Sequence, residues 1–256
     1  MLRTSVIKAV LGLGFVTVLL VAAPAQEAGV QNRSIPLMNG VYVTPVPNVP
    51  FSATVVWQST RALQDGTTES LRAFHNIARD SRGRIYNERR RLVPVSFPGT
   101  SQLLSVHIYD PQTRLNTFLD PMNHIARQST LKGLAPDFDH SPGPPRALAP
   151  AQAGGPSVRR EDLGAQVMEN LTVKGERISR TVPADVTGTG HPLVVTDEYW
   201  YSDDLRMNIL IKHNDPRTGE QTLTVKQIKS DDPDPQMFQV PSDYKLAVET
   251  PEPPDR

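Results

Sequence analysis

Residues 206–219 read RMNILIKHNDPRTG, and this stretch combines the two signals that decide the fold. Apolar residues alternate with polar ones at Met207, Ile209 and Ile211, which is the two-residue period of a strand with one buried face. Residues 215–219 then place Asp and Pro at the first two positions of a turn and Gly at its close. The stretch therefore predicts a strand followed by a tight turn into the next strand.

The same turn chemistry recurs along the chain at the short, regular spacing of an antiparallel meander. In such turns Asp bonds to the backbone of its own turn, while Pro or Gly supplies the required φ. They are predicted at Asp65-Gly66, as a two-residue hairpin, and at residues 80–83, 110–113 and 120–123. The turns and the runs between them predict a mainly β fold, an open and strongly curved antiparallel sheet resembling a half-barrel meander with little helix.

Two segments depart from simple alternation. Residues 84–95 are interrupted by three consecutive Arg residues at 89–91, which favours a wet strand or a sheet edge. Residues 234–238 carry an Asp cap followed by Pro at the first helical position, enough for one helical turn. No longer helix is predicted in the mature chain.

Residues 1–25 have the layout of a secretory signal peptide, with a cationic stretch, an apolar run from Ala9 to Ala23 and small residues before Gln26. The apolar run is shorter than the ~20 residues that a membrane-spanning helix needs. Cleavage after Ala25 is predicted, and an uncleaved N-terminal anchor is the alternative. The protein is therefore expected in the periplasm or outside the cell, without a transmembrane segment after cleavage.

Pro and Gly divide the rest of the chain. Residues 26–50 are predicted to be an extended Pro-rich leader, and residues 51–246 a single β domain. Inside that domain, residues 133–157 are too rich in Pro and Gly for a central strand or a helix, and they form either a lid over the sheet or a tether between two halves. Residues 247–256 are predicted to be a disordered acidic and Pro-rich tail.

The composition narrows the possible partners. The chain has 27 basic and 27 acidic residues. Such a balanced surface has no net field with which to attract nucleic acid or an anionic membrane. The chain has no Cys, so an exported fold would depend on its core alone. Nucleic acid is therefore not an expected partner.

Motifs for chemistry are absent from the sequence. Its six histidines are scattered without the close spacing of metal ligands. Ser129 and Lys132 match the Ser-x-x-Lys spacing of penicillin-recognising enzymes, but the other motifs of those enzymes are missing, so a chance match is favoured. We predict no catalytic residue, no metal site and no cofactor.

Several short stretches resemble a group of uncharacterised exported bacterial proteins over most of residues 51–246. The meander with Asp-Pro turns and a C-terminal Phe-x-Val-Pro segment is also similar, more distantly, to the outer-membrane lipoprotein-carrier fold, the LolA/LolB-like half-barrel. That resemblance implies a curved sheet whose concave face holds acyl chains. The stretches that carry the first resemblance are residues 80–84, 161–164, 174–177, 200–202, 212–220 and 234–241.

Aromatic and aliphatic residues on the predicted strands are the remaining candidates for a site. Their default role is core packing, and a ligand groove requires that the curved sheet leave them uncovered. The six candidates for binding an apolar ligand are Trp57, Phe74, Phe118, Tyr199, Trp200 and Ile209.

Three functions follow from these expectations. The first is a non-enzymatic, carrier-like binding module for a lipid, a lipoprotein or another apolar ligand in the bacterial envelope. The second is an envelope scaffold that meets partner proteins through exposed sheet edges and Pro-rich segments. An unrecognised hydrolase comes third, and it requires histidines and carboxylates that converge in one cleft.

Overall fold

The computed structural model describes residues 40–63, 65–131, 157–187 and 190–248, which contain thirteen strands of one sheet. One short α-helix and one 3-10 helix accompany the strands. The elements are β1 (Phe51–Ala62), β2 (Thr68–Arg79), β3 (Ile85–Arg90), β4 (Val93–Pro94), β5 (Leu103–Asp110), β6 (Leu115–Asp120), β7 (Ile125–Thr130), β8 (Ser157–Met168), β9 (Leu171–Val182), α1 (Ala184–Thr187), β10 (Leu193–Ser202), β11 (Met207–Asp215), β12 (Gly219–Lys229), the 3-10 helix (Pro235–Phe238) and β13 (Lys245–Val248).

The strand order across the sheet is β13-β7-β6-β5-β3-β2-β1-β12-β11-β10-β9-β8, with the short β4 beside β2. All neighbours pair antiparallel except β13 and β7, which are parallel. The sheet does not close on itself, so the predicted open, curved antiparallel sheet is confirmed. Within the described residues, no helix combines the length and apolar character needed to cross a bilayer.

Several predicted segments lie outside the described residues. They are the signal peptide, the leader up to residue 39, residues 133–156 of the Pro-rich segment and the last residues, 249–256. At the other end of the described chain, β13 ends at Val248, two residues beyond the predicted domain end.

The Asp-Pro turns form as predicted because their stabilising contacts are local. Asp110 Oδ1 accepts hydrogen bonds from the backbone N–H groups of Gln112 and Thr113, at 2.9 and 3.4 Å. Asp120 does the same for residues 122 and 123. The 3-10 helix also begins as predicted, with the side chain of Asp234 accepting from the N–H of Gln236.

The turn at Asp65 is wider than predicted. Leu63 N–H donates to the carbonyl of Thr67, and Gly66 N–H donates back to the carbonyl of Leu63. Gly66 has the expected positive φ of 82°. The Asp65 carboxylate accepts from both the N–H and the hydroxyl of Thr67, and these bonds fix the wider loop in place of a two-residue hairpin.

Of the two alternatives predicted for residues 84–95, the sheet edge is wrong for β3. This strand lies between β2 and β5, in the interior of the sheet. Arg90 is accommodated there because its guanidinium pairs with Glu88 at 2.8 Å and donates to the carbonyl of Ser101. The true long edge among the described strands is β8, where Val167 stays 72% exposed.

The described part of the leader packs on the sheet. Val41 and Val43 are buried and belong to the main hydrophobic cluster, beside Phe51 and Val55 of β1. A second cluster lies under the 3-10 helix, where Phe238 packs with residues of β5, β6 and β7. The leader is thus a structural part of the core over residues 41–46.

Arg79, the last residue of β2, fastens the leader to the sheet. Its side chain is fully buried, and it donates to the carbonyls of Val49, Thr44 and Leu205 at 2.8, 2.7 and 3.0 Å. The guanidinium also lies 5.0 Å from the centroid of the Phe51 ring. Burial and the nearby charge of another Arg lower the pKa of Arg79 to about 10, so the group remains charged at neutral pH.

His75 makes the stability of this core dependent on pH. It is 5% exposed, lies edge-on to Trp57, and its Nε2 has no hydrogen-bond partner. Burial and the charges of Arg89 and Arg90 lower the pKa of His75 from its ordinary value of 6.5 to about 4. The unfolded chain therefore takes up the proton first as the pH falls.

We expect the free energy of unfolding to drop by roughly 2 kcal/mol between pH 7 and pH 4.5 through this one group, and to level off below pH 4. Urea unfolding of the wild type and of His75→Gln across that range measures the difference. Equal pH slopes for the two proteins would show that His75 does not titrate in this way.

Candidate functional site

A shallow polar depression crosses five neighbouring strands, β8 to β12, on one side of the sheet. We call it the trough; it encloses about 500 Å³. Its lining is hydrophilic throughout, and none of the lining side chains is a histidine. The eight residues are Glu161, Arg177, Ser179, Thr196, Glu198, Lys212, Asn214 and Glu220.

The register of the sheet places these residues in two parallel rows. Directly opposite residues of antiparallel strands point to the same side, so each row runs straight across the strands. One row is charged with alternating sign and consists of Glu161, Arg177, Glu198 and Lys212. The other row is mainly uncharged and consists of Ser179, Thr196, Asn214 and Glu220.

Glu198 is the centre of the charged row. Its carboxylate accepts from Trp200 Nε1 at 2.7 Å and from Arg177 Nη2 at 3.0 Å. Burial alone would raise the pKa of Glu198, but these hydrogen bonds and the charge of Lys212 hold it below its usual range. Arg177 reaches Glu161 as well, at 3.4 Å. Glu198 and Arg177 are therefore held by the protein's own contacts.

Lys212 and Glu220 are held less firmly. The ammonium of Lys212 lies 3.8 Å from Glu198 Oε1, which is longer than a hydrogen bond. Glu220 is exposed, and its carboxylate accepts from the Thr222 hydroxyl at 3.4 Å. These two groups are consequently the ones in the trough that are free to bind a charged ligand.

Trp200 lies beside the trough, two residues beyond Glu198 on β10. Its ring lies against Gly175 on the next strand, where a Cβ atom would come within 2.6 Å of the ring carbons. Any side chain larger than Gly at position 175 would therefore displace the ring. The hydrogen bond from Trp200 to Glu198 connects this ring to the charged row.

A third row, next to the charged one, is apolar and leads away from Trp200. Register pairs connect Trp200 to Leu210, Leu210 to Thr224, Thr224 to Val56 and Val56 to Phe74. Trp200 and Leu210 are buried, Val56 is half-buried, and Phe74 is 47% exposed. The accessible apolar surface of this row therefore lies at its Val56 and Phe74 end.

The six residues predicted to bind an apolar ligand do not share one surface. Phe74 and Trp200 lie in the apolar row beside the trough. Trp57 and Tyr199 lie on the opposite side of the sheet, where Trp57 is in the core and Tyr199 packs against that core. Ile209 is completely buried. Phe118 is 47% exposed and stacks on His107.

The positions of Ile209 and Phe118 have identifiable causes. The pairing of β10 with β11 shifts between Trp200 and Tyr201, which leaves Ile209 as an extra residue and allows Leu210 to be buried as well. Phe118 belongs to a row that passes through His107 and residue 87 to Ile77 on β2. Because Ile77 and Phe74 are three residues apart on that strand, Phe118 and Phe74 point to opposite sides.

No individual motif predicted the trough, but three of the stretches that carry the sequence resemblance overlap with it. Residues 161–164, 174–177 and 212–220, which carry the resemblance to exported bacterial proteins, contain five of the eight lining residues. The other three, Ser179, Thr196 and Glu198, have no feature that distinguishes them from ordinary polar strand residues.

The described histidines and acidic groups are distributed over separate parts of the sheet. Among the described residues there is no group of three side chains suited to hold a metal ion. His75 is buried, His107 stacks on Phe118, and His213 bonds Asp197 at 2.7 Å on the side away from the trough. What the trough offers is a set of hydrogen-bond donors and acceptors with both signs of charge.

The fold and the trough together define an open antiparallel-sheet protein with a polar depression beside an apolar row. Solved structures with similar chain paths include an uncharacterised conserved protein from Thermus thermophilus, at 10% identity and a TM-score of 0.38, covering 79% of this chain and 91% of that one. A LolA superfamily protein from Nitrosomonas europaea matches at 13% identity and a TM-score of 0.30, covering 76% of this chain and 91% of that one.

A third similar structure is the Pseudomonas aeruginosa MucA/MucB complex, at 13% identity and a TM-score of 0.36, covering 80% of this chain and 62% of that one. A LolA superfamily member is therefore among the solved structures with a similar chain path. The TM-scores are all below 0.5, so these similarities give no information about ligand, partner or activity. No family model and no curated protein matches the chain.

Proposed function

We propose that this protein is an exported, non-enzymatic carrier-like module that binds an amphiphile, namely a lipid or the lipid-modified end of a lipoprotein. The head group would occupy the trough, and an acyl chain would lie against Val56 and Phe74. The observation that carries the proposal is that a polar depression and an accessible apolar surface lie side by side on the same side of the sheet. The signal peptide predicted at residues 1–25 supports an envelope location.

The spacing of the strands suits such a ligand. Lys212 lies on β11, and Val56 and Phe74 lie on β1 and β2, which are two and three strands away. At about 4.8 Å per strand, Val56 and Phe74 are about 10–14 Å from Lys212 across the strands. Beyond Lys212 the same line of register pairs continues through the uncharged Thr222 and Gln58 to Arg72, which lies over the Phe74 ring at 5.6 Å.

The energetics indicate that both parts of the surface are needed. Covering about five methylenes of an acyl chain contributes about 4 kcal/mol, which alone corresponds to roughly millimolar binding before association costs. Charge-assisted hydrogen bonds in the trough would add to this. A purely apolar ligand would therefore bind poorly, and an amphiphile is the better fit.

We expect Phe74→Asp to weaken binding of a short-chain phospholipid by at least about tenfold, because it places a charge where the acyl chain would lie. Phe118→Asp is the matched control, since Phe118 has the same 47% exposure on the other side of the sheet. Binding is measured by native mass spectrometry and calorimetry on the mature chain. Equal losses in the two variants, or none in either, would count against the proposed surface.

The scaffold function has one observation in its favour, the long edge at β8. Among the described strands, β8 pairs only with β9 along its twelve residues. This edge is interrupted, however, because the pairing shifts between Asp162 and Gly164, and residues 159–162 are all charged. Bulges and charges are the features that protect edges from further pairing, so this edge is poorly suited to adding a strand from a partner protein.

A further inference from the structure

Two opposite charges in the trough are close together but not paired with each other. Lys212 is opposite Thr222, and Glu220 is opposite Asn214, so Lys212 and Glu220 are diagonal neighbours across β11 and β12. The Cβ atoms of diagonal neighbours are about 7–8 Å apart. Within the described chain, Glu220 has no salt-bridge partner, and the only carboxylate within 4 Å of the Lys212 ammonium is Glu198, at 3.8 Å.

The gap between them is lined by groups that suit a small zwitterion. Asn214 and Thr222 contribute an amide and a hydroxyl on either side of it. The trough as a whole carries three carboxylates and two cations, so a head group with only negative charge would be repelled. A ligand group with its own cation and anion a few atoms apart would satisfy both Glu220 and Lys212 at once.

We propose that the trough selects a phosphoethanolamine head group. The primary ammonium donates to the Glu220 carboxylate and the Asn214 amide oxygen, and the phosphate accepts from Lys212. A quaternary ammonium carries no N–H and loses these hydrogen bonds, so choline lipids bind less well. This inference rests on the proposed function, because it names the head group of the same amphiphile.

The test compares dihexanoyl phosphatidylethanolamine with dihexanoyl phosphatidylglycerol, both below their micelle concentrations, by calorimetry with the mature protein at low salt. The acyl chains are identical, so any difference belongs to the head group. We expect the ethanolamine lipid to bind about tenfold more tightly, the effect of one charge-assisted hydrogen bond. Glu220→Gln should remove this preference, so that the two lipids bind this variant with equal affinity.

The matched controls are Asp203→Asn and Lys174→Gln, which break an exposed ion pair outside the trough and should keep the preference. Glu220 is exposed, so its variant is expected to fold, and circular dichroism checks this. Equal binding of both lipids, weakened by Phe74→Asp, would overturn the head-group inference and leave the proposed function intact. Absence of binding for both lipids would overturn both.

Discussion

Replacing Arg79 with methionine is expected to lower the free energy of unfolding by about 4 kcal/mol, because the substitution removes three hydrogen bonds that a buried, charged donor makes to backbone carbonyls. These carbonyls belong to Val49 and Thr44 of the leader and to Leu205 of the β10–β11 turn. Methionine fills most of the volume, so the loss reports the hydrogen bonds more than a cavity. Urea unfolding provides the measurement.

Arg82→Met is the matched control for this prediction. Arg82 lies in the turn that follows Arg79, is exposed, and donates from its guanidinium to Gln112 at 3.2 Å. A change below about 0.5 kcal/mol is expected there. If Arg79→Met also cost less than about 1 kcal/mol, the leader would not depend on this side chain. Hydrogen exchange of the Val46 amide, which bonds the carbonyl of Thr44, reports the leader directly.

Gly219→Ala is expected to destabilise the protein by about 3 kcal/mol or more, for two reasons that add. Gly219 has a φ of 95°, which L residues rarely adopt. A Cβ atom there would also lie 2.0 Å from the carbonyl oxygen of Thr60, which is backbone and cannot move aside without disturbing β1. The β1–β12 pairing joins the two halves of the sheet, so the effect should appear in global unfolding.

Gly66→Ala distinguishes the cost of the backbone conformation from the cost of the steric clash. Gly66 has a similar φ of 82°, but nothing lies within 4 Å of its Cβ position. It should therefore show the backbone strain alone, about 1 kcal/mol. Thermal unfolding of both variants gives the difference, which is the cost of the clash with Thr60. Similar losses of stability in the two variants would mean that β1 can shift away from the added methyl group at little energetic cost.

The parts of the fold that could be predicted are those that local contacts determine. Asp110 and Asp120 bond to residues two and three positions ahead, so their turns can be read from four letters of sequence. The helical turn at Asp234 is equally local. In β3, by contrast, three charged residues indicated an edge, and the strand became interior because Glu88 on the same strand neutralises Arg90.

The trough could not be predicted because register creates it. Glu161 and Arg177 are 16 residues apart and meet only because β8 and β9 pair at that particular alignment. A shift of one residue would turn Glu198 to the other side of the sheet, and the charged row would disappear. The sequence indicated aromatic and aliphatic residues as ligand-binding candidates instead, yet Trp57 and Ile209 are buried in the core.

The leader also imposes an order on folding. Thr44 donates to the carbonyl of Arg206, 162 positions later in the chain, and Arg79 joins the leader to Leu205 of the same turn. A chain that emerges from a ribosome or a secretion pore starting at its N-terminus therefore presents Val41 and Val43 long before their cover exists. The leader can therefore complete its contacts only after residues 205 and 206 have emerged. A chain interrupted before that point would leave the apolar side chains of Val41 and Val43 exposed to chaperones and proteases.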